Sequence, residues 1–201
     1  MKKKLIIIAV IAVIGATVII HNIYNPFNIG ITPLQTASGQ EQTGRRLEIY
    51  FSYDKLLLVA SSQYAFWIED MDGNYVDTLY VTQWTAQGGY RSRPKSIPVW
   101  VAARPVDMLS SEIDAVAGAT PKPGDYLVVW DFTDRNGNPV TGTKYRYIIE
   151  ATLYNDEYVI YTDVITIGEV AWSYNPIPEY NVPDSEHKAM ITNVQVSYYP
   201  N

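Results

Sequence analysis

The chain has 201 residues, 47% of them apolar, and no cysteine. That is room for one ordinary domain plus an anchor. It excludes disulfides, thiolate zinc sites, iron–sulfur clusters, thioether haem attachment, a cysteine nucleophile and a lipidated N-terminal cysteine. The net charge is −6, and −9 once Lys2, Lys3 and Lys4 are set aside; an acidic body without a basic stripe is not expected to bind nucleic acid.

Those three lysines precede an uncharged run, LIIIAVIAVIGATVII, at residues 5–20. A positive start followed by an apolar run predicts an export signal or a membrane anchor within residues 1–24. As a helix the run spans about 24 Å, slightly short of a bilayer core, with Ile23 and Tyr24 extending it. No clear cleavage site interrupts it, so an uncleaved anchor is favoured over a cleaved peptide. The lysines then face the cytoplasm and everything after His21 lies outside. Residues 25–44, rich in Asn, Pro, Gly, Gln and Thr, read as a linker.

From residue 45 onward the pattern is that of strands. In RRLEIYFSYD, Leu47, Ile49 and Phe51 alternate with Glu48, Tyr50 and Ser52, which predicts a half-buried strand; KLLLVAS continues it or starts a neighbour. YAFWIED (64–70) and VDTLYVTQW (76–84), joined by the turn MDGNY, predict a hairpin. A long excursion follows at 87–124, with Gly and Pro at both ends. Two short helices fit in it, near Pro98–Ala103 and Val106–Ala115, and Val99, Trp100, Val101 and Met108 are expected to pack it against the strands. YLVVW, the turn DRNGNPV and KYRYIIEA predict a second hairpin. YVIYTDVITIGEVAW (158–172) and AMITNVQVSYY (189–199) close the series across a proline-rich turn. Seven to nine short strands with turn signals between them predict an all-β fold, an antiparallel immunoglobulin-like β-sandwich over 45–201 with a partly helical excursion. Tyr, used 17 times against 4 Phe, suits such strands because its ring packs while its hydroxyl stays wet.

The second predicted hairpin carries Trp130, Asp131, Asp134, Asn136, Gly137, Asn138, Pro139, Val140, Gly142 and Tyr145 in an order that resembles a unit of flagellar hook-capping proteins and secreted immunoglobulin-like modules. Upstream, YAFWIEDMDGNYVDTLYV, RPKSIPVW and IDAVAGATPKPGDYLVVWD follow one another at spacings that resemble the predicted periplasmic domain-of-unknown-function family numbered 2271. The likeness covers about residues 45–199. It implies an extracytoplasmic sandwich domain, often in company with membrane redox proteins and flavin transferases, and no known activity.

Asp114-Ala-Val-Ala-Gly-Ala-Thr120 is the sharpest candidate site. It is similar to the D-x-x-(S/T)-G-A-T string at which flavin transferases attach FMN through a phosphoester to the last Thr. The likeness makes Thr120 the attachment point. Gly118 and Ala119 leave room for the transferase and the phosphate, and Asp114 assists transfer. The sequence departs from the string at Ala117, where Ser or Thr is usual, and at Pro121 directly after the Thr. The plainer reading, which is favoured, is a tight loop in which Asp114 caps local amides and Gly118 takes a positive φ.

Other constellations read as structure. Asp131, Asp134, Asn136 and Asn138 offer oxygens to Ca²⁺, but an EF-hand count from Asp134 puts Pro139 at the sixth place and Tyr145 at the twelfth, so an Asx-stabilised turn is favoured. Glu69, Asp70 and Asp72 read the same way. His21 and His187 sit in no catalytic motif, and no histidine metal site is expected. Arg91, Arg93, Lys95 and Arg104 are expected as solvated loop charges, or as partners of an FMN phosphate or of an acidic protein. Trp67, Trp84 and Trp130 are expected in the core.

The sequence therefore predicts a single-pass cell-membrane protein whose C-terminal domain lies outside the cytoplasm. Its expected role is a non-catalytic binding or assembly module that makes contacts through strand edges and the excursion with protein partners in an envelope complex. The alternative is an electron-transfer module carrying FMN on Thr120; otherwise no cofactor is expected. An enzyme acting on an extracellular polymer is the remotest reading.

Overall fold

The computed structural model describes residues 32–33, 44–55, 62–108, 110–188 and 190–201. The anchor at 1–24, His21 and most of the linker at 25–44 lie outside the described residues, as do residues 56–61 of KLLLVAS. Among the described residues, no helix is long and apolar enough to cross a membrane.

Two sheets face each other. The strands are β1 (Thr32–Pro33), β2 (Arg46–Tyr53), β3 (Tyr64–Glu69), β4 (Tyr75–Thr82), β5 (Ala117–Gly118), β6 (Gly124–Trp130), β7 (Lys144–Thr152), β8 (Tyr158–Thr166), β9 (Trp172–Tyr174), β10 (Glu179–Tyr180) and β11 (Ile191–Tyr199). The first sheet runs β1-β6-β2-β11-β9 and the second β10-β8-β7-β3-β4-β5. Pairing is antiparallel except where the two-residue strands β1 and β5 lie parallel to β6 and β4. β1 comes from the segment read as a linker.

One core fills the space between the sheets. Phe51 of β2 meets Phe66 of β3 at 4.9 Å between ring centroids, and Trp130 of β6 meets Tyr145 of β7 edge-on at 5.3 Å. Many tyrosines lie in this core instead of half-wet at the surface. Three of their hydroxyls reach backbone carbonyls: Tyr126 to Lys122 (2.6 Å) and Tyr198 to Gly168 (2.7 Å) in rim loops, and Tyr161 to Ile191 (2.8 Å) at the start of β11. A buried phenol with a carbonyl partner avoids the cost of an orphaned hydroxyl.

A second core lies on the outer face of the second sheet. Ala65, Trp67, Val81 and Ile148 project there and are covered by Ala86, Ile97 and Trp100 of the excursion. The middle of the second sheet, β3 with the later parts of β4 and β7, is therefore buried on both faces, while β8 still alternates. This explains the continuous burial along β3 and β7, against the strict alternation of β2: a strand covered on both sides has no wet face to alternate with.

The excursion contains helix α1 (Gln83–Ala86), a 3₁₀ turn (Gly89–Arg91), α2 (Pro98–Ala103) and α3 (Ser110–Val116). α2 falls where the sequence placed it. The second helix was expected from Val106, but Val106 is fully exposed and the helix starts at Ser110. Trp84, expected in a core strand, sits on α1 at 39% exposure, because β4 ends at Thr82. Trp67 and Trp130 are buried as expected.

Two predicted strand units are corrected. YLVVW and KYRYIIEA are not a hairpin: β6 pairs with β2 in the first sheet, and β7 pairs with β3 and β8 in the second. The chain arches from one sheet to the other through Phe132, which is buried with φ 65°. The turn signal was sound, but the turn closes a small loop of its own, with Thr133 bridged to Pro139. Likewise 158–172 is not one strand, since β8 ends at Thr166 and Trp172 opens β9 in the opposite sheet.

One turn module occurs twice. In Asp70-Met-Asp-Gly-Asn74 and Asp134-Arg-Asn-Gly-Asn138, the first aspartate accepts from the amides two and four residues on, at 2.8–2.9 Å. The fourth residue is glycine with φ 83° and 77°. This is the Asx-stabilised turn expected in place of a Ca²⁺ loop. A Cβ on Gly137 meets nothing within 4 Å, so Gly137→Ala is expected to cost about 1 kcal/mol from positive φ alone. Gly137→Asn is expected to cost less, both read from the denaturation midpoint.

Candidate functional site

The Asp114–Thr120 string begins on α3, passes through β5 at the edge of the second sheet, and ends on an exposed loop. Asp114, Ala119 and Thr120 are exposed and Gly118 is half-buried. Ala117 and Gly118 pair with Val81 and Thr82. The loop is held from beneath by Tyr80, whose hydroxyl donates to the Ala119 carbonyl at 3.0 Å. Thr120 is exposed as a residue, and its Oγ1 donates to the Ser62 carbonyl over a long, partly buried bond of 3.3 Å.

Gly118 does not take the positive φ expected of it; among the described glycines that conformation belongs to Gly44, Gly73, Gly88, Gly124 and Gly137. Its smallness serves another purpose. A Cβ there would lie 2.6 Å from Tyr80 Cε2 and 2.8 Å from its hydroxyl oxygen. Tyr80 is itself buried and stacked on Tyr64, with ring centroids 5.6 Å apart. Asp114 does not cap amides of its own loop either; its carboxylate accepts from Gln87 Nε2 at 3.3 Å. Burial pushes the Tyr80 phenol up to about 12, so the bond to Ala119 keeps its proton across the physiological range.

The excursion splits the four cations. Arg91 and Arg104 line a cleft of about 490 Å³ together with Tyr90 and Asp114, and Thr120 does not line it. Arg93 lies over the Trp84 ring at 5.1 Å. Lys95 pairs with Asp156 at 2.9 Å.

Some arrangements were illegible in the sequence. Glu150 is fully buried on β7, and its two carboxylate oxygens accept from the amides of Val99 (3.1 Å) and Trp100 (2.8 Å) in the first turn of α2. Thr78 accepts from Trp100 Nε1 at 2.9 Å, and Thr152 accepts from the Ile97 amide at 2.9 Å. Ile97 has φ 42°, a strained conformation for a β-branched residue. A lone acid inside the apolar run of KYRYIIEA was the available signal for Glu150. His187 stacks on Tyr154 at 4.6 Å and shares Glu157 with Ser185. Ser185 donates to the carboxylate and not to the imidazole, so this trio lacks the nucleophile–base contact of acyl transfer.

A family model described as "Predicted periplasmic protein (DUF2271)" matches residues 58–173. The match takes in β3 to β8, the excursion, the Thr120 loop and the arch. No curated protein and no solved structure matches the chain, and the hook-cap likeness of the arch gains no support from the comparisons.

Proposed function

The chain belongs to the predicted periplasmic family DUF2271, and from that premise we propose that its domain is an extracytoplasmic electron carrier bearing FMN on Thr120. Residues 1–24 would hold it at the membrane. The observation that carries this reading is Thr120, an exposed residue at the end of a braced loop of small residues, its hydroxyl held by a long bond to the Ser62 carbonyl. The plainer reading, a tight loop with Asp114 capping its amides and Gly118 at positive φ, draws less support, since Asp114 accepts from Gln87 and Gly118 does not take a positive φ.

The attachment is a transfer. Thr120 Oγ bonds to the flavin-side phosphorus of a flavin dinucleotide, the P–O–P bond breaks, AMP leaves, and the hydroxyl proton passes to a base of the transferase. When bound, the flavin supplies one- and two-electron redox chemistry. The chain's own part is to hold Thr120 outward. Tyr80 pins the Ala119 carbonyl, and Gly118 lets β5 lie directly on the Tyr80 ring.

An assembly module docking through strand edges draws less support. Among the described residues both sheets end in strands of two or three residues, β1 and β9, β5 and β10, and short edges present little backbone for a partner strand.

The test is the intact mass of the full chain from its native membrane. The expected result is an excess of one FMN less one water, mapped to the peptide holding Thr120 and absent from Thr120→Ala. An unmodified Thr120 in cells that contain a flavin transferase would overturn the reading.

A further inference from the structure

We infer that the cleft between the 3₁₀ turn and α3 is a binding site for a small organic anion, a phosphate ester or carboxylate that also carries hydroxyl groups. Arg91, Arg104 and Tyr90 line the cleft together with Asp114 of α3. On a chain of net charge −6, two arginines at one cleft would be expected to find carboxylates. Neither takes part in an ion pair among the described residues.

Arg104 is instead positioned by aromatic rings. It lies over Tyr90 at 5.0 Å and Trp100 at 5.8 Å, and its Nη2 donates to the Tyr90 hydroxyl at 2.7 Å. Its Nε–H is buried and has no acceptor among the described residues. The Nε–H faces inward and is not offered to the cleft, but a guanidinium's outer N–H groups make charge-assisted hydrogen bonds that suit phosphate and carboxylate. Arg91 lies at 5.7 Å from the same Tyr90 ring. Tyr90 thus braces both cations, and because its hydroxyl oxygen is the acceptor from Arg104, its proton is free to donate. Asp114 fixes the class further. It lines the same cleft but, among the described residues, pairs with neither arginine; its negative charge disfavours a bare anion and its oxygens accept from hydroxyls, so the preferred ligand has both an anionic head and a polyol body.

The experiment is calorimetric titration of the full chain, produced without a flavin transferase so that the outcome is independent of the Thr120 reading. The probes are inorganic phosphate and ribose 5-phosphate. Saturable binding at one site per chain is expected, tighter for ribose 5-phosphate. Arg91→Ala and Arg104→Met are each expected to weaken it about tenfold or more, as befits loss of a charge-assisted bond. Asp114→Ala is expected to raise the affinity for inorganic phosphate and to narrow the preference for ribose 5-phosphate. Arg91 is exposed and its replacement leaves the core untouched, so a folding defect in the Arg104 variant would not decide the matter. Absence of saturable binding of either probe at millimolar concentration, or binding indifferent to Arg91→Ala, would overturn the inference.

Discussion

Glu150→Ala is expected to destabilise the domain by about 2–4 kcal/mol and to loosen the excursion from the second sheet. The Glu150 carboxylate takes the amides of Val99 and Trp100 where α2 begins. Those amides are orphans of any helix N-terminus, and they lie against a buried face where water does not replace the acceptor. Each donor left unpaired costs about 1–3 kcal/mol. The gain from no longer burying a charge offsets part of the loss. Glu150→Gln keeps one acceptor and turns an NH₂ group toward the other amide, so it should fall between the wild type and alanine. Denaturation midpoints measure the cost. Trypsin cleavage after Arg91 and Lys95 reports release of the excursion; Arg93 precedes Pro94 and is resistant. A loss under about 0.5 kcal/mol for alanine would show that apolar packing of Trp100 alone holds α2.

The same residue sets a pH dependence. Burial pushes the Glu150 carboxyl up to about 7, against the pull of the two amides. Asp77 is pushed to about 7 as well, first by burial and then by the charges of Asp131 and Asp134. A carboxyl raised in the folded state gives its full stability below its unfolded pKa and loses it as pH rises through the folded value. For Glu150 the loss between about pH 4.5 and pH 7 is of order 3 kcal/mol. The opposite sign holds for Asp70 and Asp134, lowered chiefly by the Asn74 side chain and by the Asn138 amide; their contribution fades as pH falls through the aspartate range. Stability should therefore peak near pH 5 and fall toward pH 8. The gap between wild type and Glu150→Gln should narrow over the same interval. Thermal melts of both proteins from pH 4 to 8 check this, and a flat wild-type profile would contradict it.

Gly118→Ala is expected to cost about 1–3 kcal/mol and to displace the Thr120 loop. Overpacking of this kind is cheap when the struck atom can move. Here the struck atoms belong to a Tyr80 ring that is buried, stacked on Tyr64 and bonded to Ala119. Tyr80→Phe removes the hydroxyl contact and the Ala119 bond, for about 1 kcal/mol. The two changes share one contact, so they should not add. Combining Gly118→Ala with Tyr80→Leu, which withdraws the ring, should recover part of the alanine penalty, and a double-mutant cycle reads this coupling. Additive costs would mean that Gly118 and Tyr80 do not press on each other. Flavin loading should follow the loop: under this reading it falls in Gly118→Ala although Thr120 remains.

The strand content and the turn chemistry were legible in the sequence because they rest on local forces. Alternation in Leu47, Ile49 and Phe51 gave β2 its inward face, and Asp134 with Gly137 gave the Asx turn its form whatever the surroundings. The Thr120 string was equally plain as a string. Pairing was not local. YLVVW and KYRYIIEA each have one apolar face, and such a face packs equally well beside its sequence neighbour or across a sandwich from it. Only the tertiary structure decided that β6 and β7 lie in opposite sheets, since that choice depends on β2 and β3 being available as partners. The purpose of Gly118 was hidden for the same reason: a glycine signals either positive φ or close approach, and the approaching ring, Tyr80, lies 38 residues earlier in the chain. Glu150 looked like a stray charge in an apolar strand until α2 supplied two amides for its oxygens. The cleft at Arg91, Arg104 and Asp114 exists only because the excursion folds back on itself. What depends on a residue and its near neighbours was written in the sequence. What depends on which distant group meets it was settled by packing.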